Sequence, residues 1–331
     1  MLVKIIDINW NPEMPIFASK NFLEAVSDQY GWLGGFDEQG NLKCIIPFTI
    51  INKFFFKLAR FRVETIPMET GLSLDEEKDF LNQVLYILRK MKVDTIIPAT
   101  TNTIFRTYPD GAIVAPYGTF KIDLRQEEEE IWKGISESHR RKVRRAEKNR
   151  VAVKSGLEFV DPAYQLIKET FKRSRLGFMD INEFRKYIKG LGDWVKIFIA
   201  EYQNSIQACV VIPFSQYSAY YVYGGSIASP ITGATNLLHW EAIRHFRKLG
   251  VRFYDFVGVR ISPEKGSKQE GLYQYKERFG GKLYPGYMWK YYLNPFRSLG
   301  YQLAVKILRK GDIVDAEKRK MKGHQHQNCS N

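Results

Sequence analysis

Apolar residues along the chain change period in a fixed order, and that order occurs twice. Strand-like alternation covers Tyr30 to Phe36, Leu42 to Ile51 and Phe54 to Ile66, with a turn at Glu38-Gln-Gly40. Helical spacing follows from about Ser73 to Met91, then strand Val93 to Pro98, a short helical piece near Asn102, and strand Ile113 to Ile122. The second half repeats this: strand Val195 to Tyr202, a turn at Gln203-Asn-Ser205, and strands Ile206 to Phe214 and Ser218 to Tyr223. Helix Thr235 to Leu249, strand Val251 to Val257, helix Leu272 to Phe279 and strand Lys282 to Tyr291 complete it. Local sequence agrees, because Lys43-Cys-Ile-Ile-Pro-Phe48 resembles Ala208-Cys-Val-Val-Ile-Pro-Phe214. The pattern predicts an α/β fold with a mixed sheet, built by internal duplication. The expected domains are 1–125 and 126–309, followed by a polar, loose tail at 310–331.

One segment joins strand, loop and helix around a single lysine. Tyr254-Asp-Phe-Val-Gly258 suits a strand, Val259 to Glu270 reads as a solvated loop, and Leu272, Tyr275 and Phe279 form an apolar helical stripe ended by Gly280-Gly281. Lys276 sits at the border of that stripe.

Charge adds a second feature. Fifty Lys and Arg against 36 Asp and Glu leave a net charge of +14, which favours polyanionic partners. Eight bases and one acid lie between His139 and Lys154, behind an acidic start at Glu127-Glu-Glu-Glu130. Acids first and bases last complement a helix dipole, but eight bases exceed that need. Arg140, Arg141, Arg144 and Arg145 are therefore candidates for phosphate or nucleic-acid contacts.

Other features narrow the chemistry. Cys44, Cys209 and Cys329 lie far apart, without CxxC spacing, so neither a disulfide framework nor a zinc site is expected and a reducing cytoplasm is. His324 and His326 read as tail residues, and no metal site is expected. No signal peptide is expected, because Met1-Leu-Val-Lys-Ile-Ile-Asp7 runs straight into a strand-like pattern, and the most apolar run, Cys44 to Phe56, is interrupted by Pro47, Asn52 and Lys53. His139 stands among arginines, where imidazole is a poor base, and His239 and His245 share one helix as packing or surface residues. No GxxxxGK[ST] or GxGxxG loop occurs. Tyr223-Gly-Gly225 and Gly233-Ala-Thr-Asn236 place small residues before the second long helix, without the R/Q-x-x-G-x-G/A signature of coenzyme A users. Alternation also puts Tyr217, Ala219, Tyr221 and Tyr223 on one strand face.

A β-meander followed by helix, strand, helix, strand resembles the GNAT acyltransferase fold, here as two tandem GNAT-like domains. The segment Ser138-His-Arg-Arg-Lys-Val-Arg-Arg-Ala-Glu-Lys148, the helix Gly233-Ala-Thr-Asn-Leu-Leu-His-Trp-Glu-Ala242 and the motif Gly271-Leu-Tyr-Gln-Tyr-Lys-Glu-Arg-Phe-Gly280 resemble the FemABX family, the peptidoglycan bridge-forming aminoacyltransferases. Val160 to Trp194 carries no long heptad-patterned insertion, so the chain resembles the arm-less type.

The resemblance implies transfer of an amino acid from aminoacyl-tRNA to an amine of a UDP-linked or lipid-linked muropeptide, with no cofactor. It also implies a cytoplasmic monomer in peripheral contact with the inner membrane face. Lys276 matches the family's motif lysine and Tyr275 the aromatic before it. A fixed ammonium suits an oxyanion formed during ester aminolysis. Asp255, or Asp94 in the first half, is a candidate base. Tyr254, Arg260, Tyr223, Gly224 and Gly271 are candidate substrate contacts. Two other readings stand beside this one: an acyl-CoA or acyl-carrier N-acyltransferase acting on a surface polysaccharide or lipid, and a non-enzymatic RNA-binding protein.

Overall fold

The computed structural model describes residues 1–301 and 312–318. The expected tail therefore lies largely outside the described residues, together with His324, His326 and Cys329. In chain order the elements are β1 Leu2–Ile6, α1 Lys20–Val26, β2 Gln29–Phe36, β3 Leu42–Lys53, β4 Phe56–Phe61, β5 Ile66–Pro67, α2 Leu74–Lys90, β6 Thr95–Ile96 and β7 Ile113–Asp123. There follow α3 Glu128–Gly134, α4 Glu137–Lys148, β8 Ala152–Ser155, α5 Val160–Arg173, α6 Ile181–Leu191, β9 Val195–Tyr202 and β10 Ser205–Pro213. The chain continues with β11 Ser218–Tyr220, β12 Tyr223–Ser226, α7 Ala234–Lys248, β13 Phe253–Val259, α8 Lys268–Glu277 and β14 Lys282–Tyr292. The expected order is present in both halves: β2-β3-β4-α2-β6-β7 recurs as β9-β10-β11/β12-α7-β13-β14.

Two compact units divide the chain discontinuously. The first comprises Met1–Asn9, Ser27–Gly118 and Pro285–Asn331, the second Trp10–Val26 and Thr119–Tyr284. The expected division near residue 125 lies close to the switch after Gly118. What it lacks are the exchange of Trp10–Val26 into the second unit and the return of Pro285 onward to the first.

In the first unit the strand order is β1-β2-β3-β4-β6-β14-β7. Antiparallel pairing runs from β1 to β4, β4 pairs parallel with β6, and β6 pairs antiparallel with β14. Cys44 to Ile50 of β3 is buried throughout, as a central strand covered on both faces requires. Helix α2 lays Phe80, Leu81, Val84, Leu85 and Leu88 into the same core as Leu33, Ile46 and Phe61. Its start is set locally: Ser73 caps the amide of Glu76 and the Glu76 carboxylate returns to the amide of Ser73, a capping box. Between Val93 and Pro98 only Thr95–Ile96 forms strand, and residues near Asn102 form a turn rather than a helix.

The second unit holds a β7-β13-β11 layer and a separate four-stranded sheet of order β12-β10-β9-β8. Gln203 and Asn204, both at positive φ, form the two-residue turn between β9 and β10. Helix α7 buries Leu237, Leu238, Trp240, Ile243 and Phe246 against Phe198, Val210, Tyr254 and Phe256. The acidic-to-basic stretch is broken at extended Ile135, and α4 starts afresh with Ser136 capping the amide of His139. The strand expected from Ser218 to Tyr223 is also broken. Its first half, β11, pairs parallel with β13, and its second half, β12, pairs with β10. That break positions the site.

A candidate acyl-transfer site around Lys276

Strands β11 and β13 part company at Asp255. The Tyr221 amide still donates to the Asp255 carbonyl at 2.9 Å, beyond the last paired residues Tyr220 and Asp255. Two residues later Val257 has φ +52°, a left-handed conformation that costs a β-branched residue about 1–2 kcal/mol and needs support. Asp255 supplies it: its Oδ1 accepts the Val257 amide at 2.7 Å and the Thr119 hydroxyl at 2.5 Å, while Lys121 Nζ stands 3.3 Å from Oδ2.

The turned backbone holds Lys276. Its Nζ donates to the Val257 carbonyl at 3.1 Å and to the Gly258 carbonyl at 3.0 Å. An ammonium has three N–H groups, so one remains for a further acceptor. Lys276 is 8% exposed, and burial pulls its pKa from 10.5 down to about 8, against an opposing pull from Asp255. The sequence placed this lysine at the edge of a stripe of Leu272, Tyr275 and Phe279. In the structure Leu272 is exposed, and Tyr275, Lys276 and Phe279 face inward. Gly280 is required by its φ of +79° and because a Cβ there would lie 2.5 Å from the Gly134 carbonyl oxygen.

Around Tyr275 lies a cluster that sequence reasoning missed. His139 and His239 are both buried, with ring centroids 5.1 and 5.9 Å from Tyr275. His239 Nδ1 pairs with the Tyr254 hydroxyl at 2.8 Å. Burial lowers the His239 pKa to about 3, with the nearby Lys276 charge adding to it, and lowers that of His139 to about 4. Both rings are neutral near pH 7. His239 Nε2, His139 Nδ1 and the Tyr275 hydroxyl have no hydrogen-bond partner among the described residues, so polar atoms are available to a water or substrate. A signal did exist: His139, Val143 and Ala146 recur at i, i+4 and i+7, which sends His139 inward and Arg141, Lys142, Arg144, Arg145 and Lys148 outward.

The other expected residues are more scattered. Arg140 is engaged by Glu137 at 2.8 Å and the Lys133 carbonyl at 3.1 Å, and Arg144 reaches Glu137 at 3.5 Å and the Trp132 ring at 5.7 Å. Arg141 and Arg145 are exposed on the same face. Tyr223 packs against Phe178 and Tyr187, while Tyr221 instead stacks edge-on against His239 at 4.5 Å, so the expected single tyrosine face is split by the strand break. A Cβ on Gly224 would collide with the Tyr221 hydroxyl, whereas Gly271 is open and Arg260 is half-buried. Asp94 lies in the first unit, buried, with Oδ2 accepting the Lys57 amide at 2.8 Å and Oδ1 3.4 Å from Arg297. Cys44 and Cys209 are buried thiols whose pKa burial pushes up to about 12, which removes thiolate chemistry from both.

Gly233 starts α7 at φ +91° with no side-chain cap, and the Lys142 carbonyl lies where its Cβ would be. The α7 N-terminus thus abuts basic helix α4.

Residues 135–277 match the acetyltransferase (GNAT) domain family. No curated protein matches the chain. Among solved structures the fold is similar to FemX, at 15% identity and a TM-score of 0.63, covering 85% of this chain and 93% of that one. It is also similar to the C-terminal domain of a putative lysylphosphatidylglycerol synthetase from Agrobacterium fabrum, at 12% identity and a TM-score of 0.52, covering 88% and 93%. A conserved protein of unknown function from Bacteroides thetaiotaomicron aligns at 11% identity and a TM-score of 0.51, covering 87% and 99%. The chain therefore has the mixed α/β fold of GNAT acyltransferases, and its likeness to FemX is one of fold.

Proposed function

We propose that the chain is an aminoacyltransferase that moves an amino acid from aminoacyl-tRNA to an amine of a peptidoglycan precursor peptide, UDP-linked or lipid-linked. The observation carrying this reading is the buried Lys276 ammonium, held by two backbone carbonyls with one N–H left over, inside a GNAT-type acyltransferase domain. The acceptor amine attacks the ester carbonyl carbon, its electron pair forming the new C–N bond while the carbonyl electrons move to oxygen. Lys276 donates its remaining N–H to that oxyanion, a contribution of about 3 kcal/mol for one such donor. Collapse expels the ribose oxygen, which takes up the proton shed by the amine. No covalent enzyme intermediate is needed, in keeping with two buried, protonated thiols.

Asp255 acts here as a positioning residue. Its carboxylate is committed to Val257, Thr119 and Lys121, and through Val257 it sets the carbonyls that hold Lys276. The uncapped first turn of α7 beside α4 suits a phosphate of the donor or acceptor. Arg141 and Arg145 suit the tRNA backbone.

Transfer of a radiolabelled aminoacyl group from charged tRNA to a UDP-muropeptide tests the reading, with Lys276→Met expected to lower the rate by about a hundredfold or more. Near wild-type turnover in that variant would remove Lys276 from the mechanism. The family match favours a second reading, an acyl-CoA donor. Calorimetric titration with acetyl-CoA and longer acyl-CoAs separates the two, because saturable binding without any effect of tRNA selects the second.

A further inference from the structure

The hairpin between β3 and β4 breaks the ordinary rules for such turns. Lys53 pairs with Phe56, leaving Phe54-Phe55 as a two-residue loop where the sequence pattern expected strand. Phe54 takes φ +54°, a conformation in which two-residue turns favour Gly, Asn or Asp. Both rings point into solvent, Phe54 at 86% and Phe55 at 85% exposure. The turn therefore carries backbone strain and two exposed aromatic rings that fold stability does not call for.

A second segment meets the same corner of the first unit. Arg297 donates to the Phe55 carbonyl, and the Phe56 and Tyr301 rings lie 5.6 Å apart. This segment exposes Phe296 at 92% and Leu299 at 58%. Four large apolar side chains thus stand out near one another, where isolated apolar residues are the norm on a soluble surface.

Their rim is basic. Residues 51–57, 89–92 and 294–301 contain Lys53, Lys57, Arg89, Lys90, Lys92 and Arg297 and no acid. Lys57 Nζ bonds to the Met91 carbonyl at 2.9 Å, which ties the end of α2 to the hairpin. The acids packed into this corner are occupied: Asp94 by the Lys57 amide and Arg297, and Asp312 and Asp315 by buried Lys290 at 2.8 and 2.6 Å.

We propose that this face docks on an anionic lipid bilayer, with Phe54, Phe55, Phe296 and Leu299 entering the acyl boundary and the basic rim meeting lipid phosphates. Aromatic rings over a basic collar match the two layers of such a surface, an apolar interior under a negative headgroup plane. An RNA would use the charges but gives Leu299 and Phe296 no interior to enter. No described helix is long and apolar enough to cross a membrane, so the contact is peripheral. It is independent of the proposed transfer reaction.

The test is co-sedimentation of the full chain with phosphatidylcholine vesicles and with vesicles of equal phosphatidylcholine and phosphatidylglycerol, without donor or acceptor. Binding is expected to the anionic vesicles, with weaker binding to the neutral ones and release by salt. Phe54→Gly with Phe55→Ser places glycine at the one positive-φ position of the hairpin, a favoured turn sequence, so the variant keeps or raises its melting temperature. With Phe296→Ser added, vesicle affinity is expected to fall about tenfold or more. Lys53→Glu with Lys92→Glu is expected to weaken binding to anionic vesicles alone. The proposal is overturned if wild-type protein stays in the supernatant with anionic vesicles, or if the aromatic variant sediments as wild type. It is equally overturned if gel filtration shows a dimer that these substitutions dissolve, or if they abolish RNA binding and leave vesicle binding intact.

Discussion

Replacing Lys276 by methionine is expected to stabilise the protein while removing its transfer activity. The folded lysine titrates at about 8 against 10.5 when free, chiefly because burial penalises its charge. At about 1.4 kcal/mol per pH unit, folding at pH 7 carries roughly 3 kcal/mol of unfavourable charge burial. Methionine removes that penalty and fills the site with an unbranched apolar chain. Against it stand the Val257 and Gly258 carbonyls, each losing a donor at a loss of about 1 kcal/mol. The net expectation is about 1 kcal/mol of stabilisation at pH 7, or a rise of about 2–4 °C in Tm. The pH dependence identifies the cause. Between about 8 and 10.5 the unfolded chain keeps a proton that the folded chain has shed, so wild-type stability rises with pH across that window. The methionine variant lacks that rise. Urea denaturation of both proteins at pH 7, 8, 9 and 10 measures the difference directly. Parallel pH profiles, or a variant less stable at pH 7, would refute the assignment of a charge-penalised lysine.

Four further outcomes follow from the same geometry. Asp255→Asn keeps the size of the side chain but weakens its hold on the Val257 amide and removes the charge that holds the Lys276 pKa up; selective labelling of Lys276 by an amine reagent across pH should show a pKa below that of the wild type, and an unchanged profile would separate the two residues. The two buried histidines titrate below 6.5, so their contribution is complete above pH 6.5 and is lost progressively as pH falls toward 4 and 3; His139→Phe should flatten acid denaturation between pH 6 and 4 as followed by circular dichroism. Gly233→Ala forces a Cβ onto the Lys142 carbonyl at a positive φ and should lower stability by about 2 kcal/mol or more by chemical denaturation. Ser73→Ala removes the α2 capping box and should lower stability by about 1 kcal/mol while leaving transfer unchanged.

Much of the architecture is local and was therefore readable. Helix α2 starts within one residue of its expected place because Ser73 and Glu76 lie three residues apart and cap one another. The turn at Gln203-Asn204, the strands flanking Cys44 and Cys209, and the Gly280 stop after α8 likewise rest on neighbours in sequence. Periodicity also found the duplicated order, and the motif around Lys276 singled out the residue on which the proposed site is centred. The discontinuous units were not readable, because Trp10–Val26 joins partners such as Phe22 with Tyr187 that no local pattern pairs.

What gives Lys276 its chemistry belongs to the tertiary structure. Its two carbonyl partners depend on the left-handed turn of the backbone at Val257 within β13, that turn on Asp255, and Asp255 on Thr119, 136 residues earlier. His139 and His239 stand far apart in the chain and come together because α4 and α7 pack on one another and both rings lie against Phe279. A pKa reports the whole dielectric and charge environment of a group. The chain specifies which residues are present, but only the fold brings together the groups that make one lysine unlike the others.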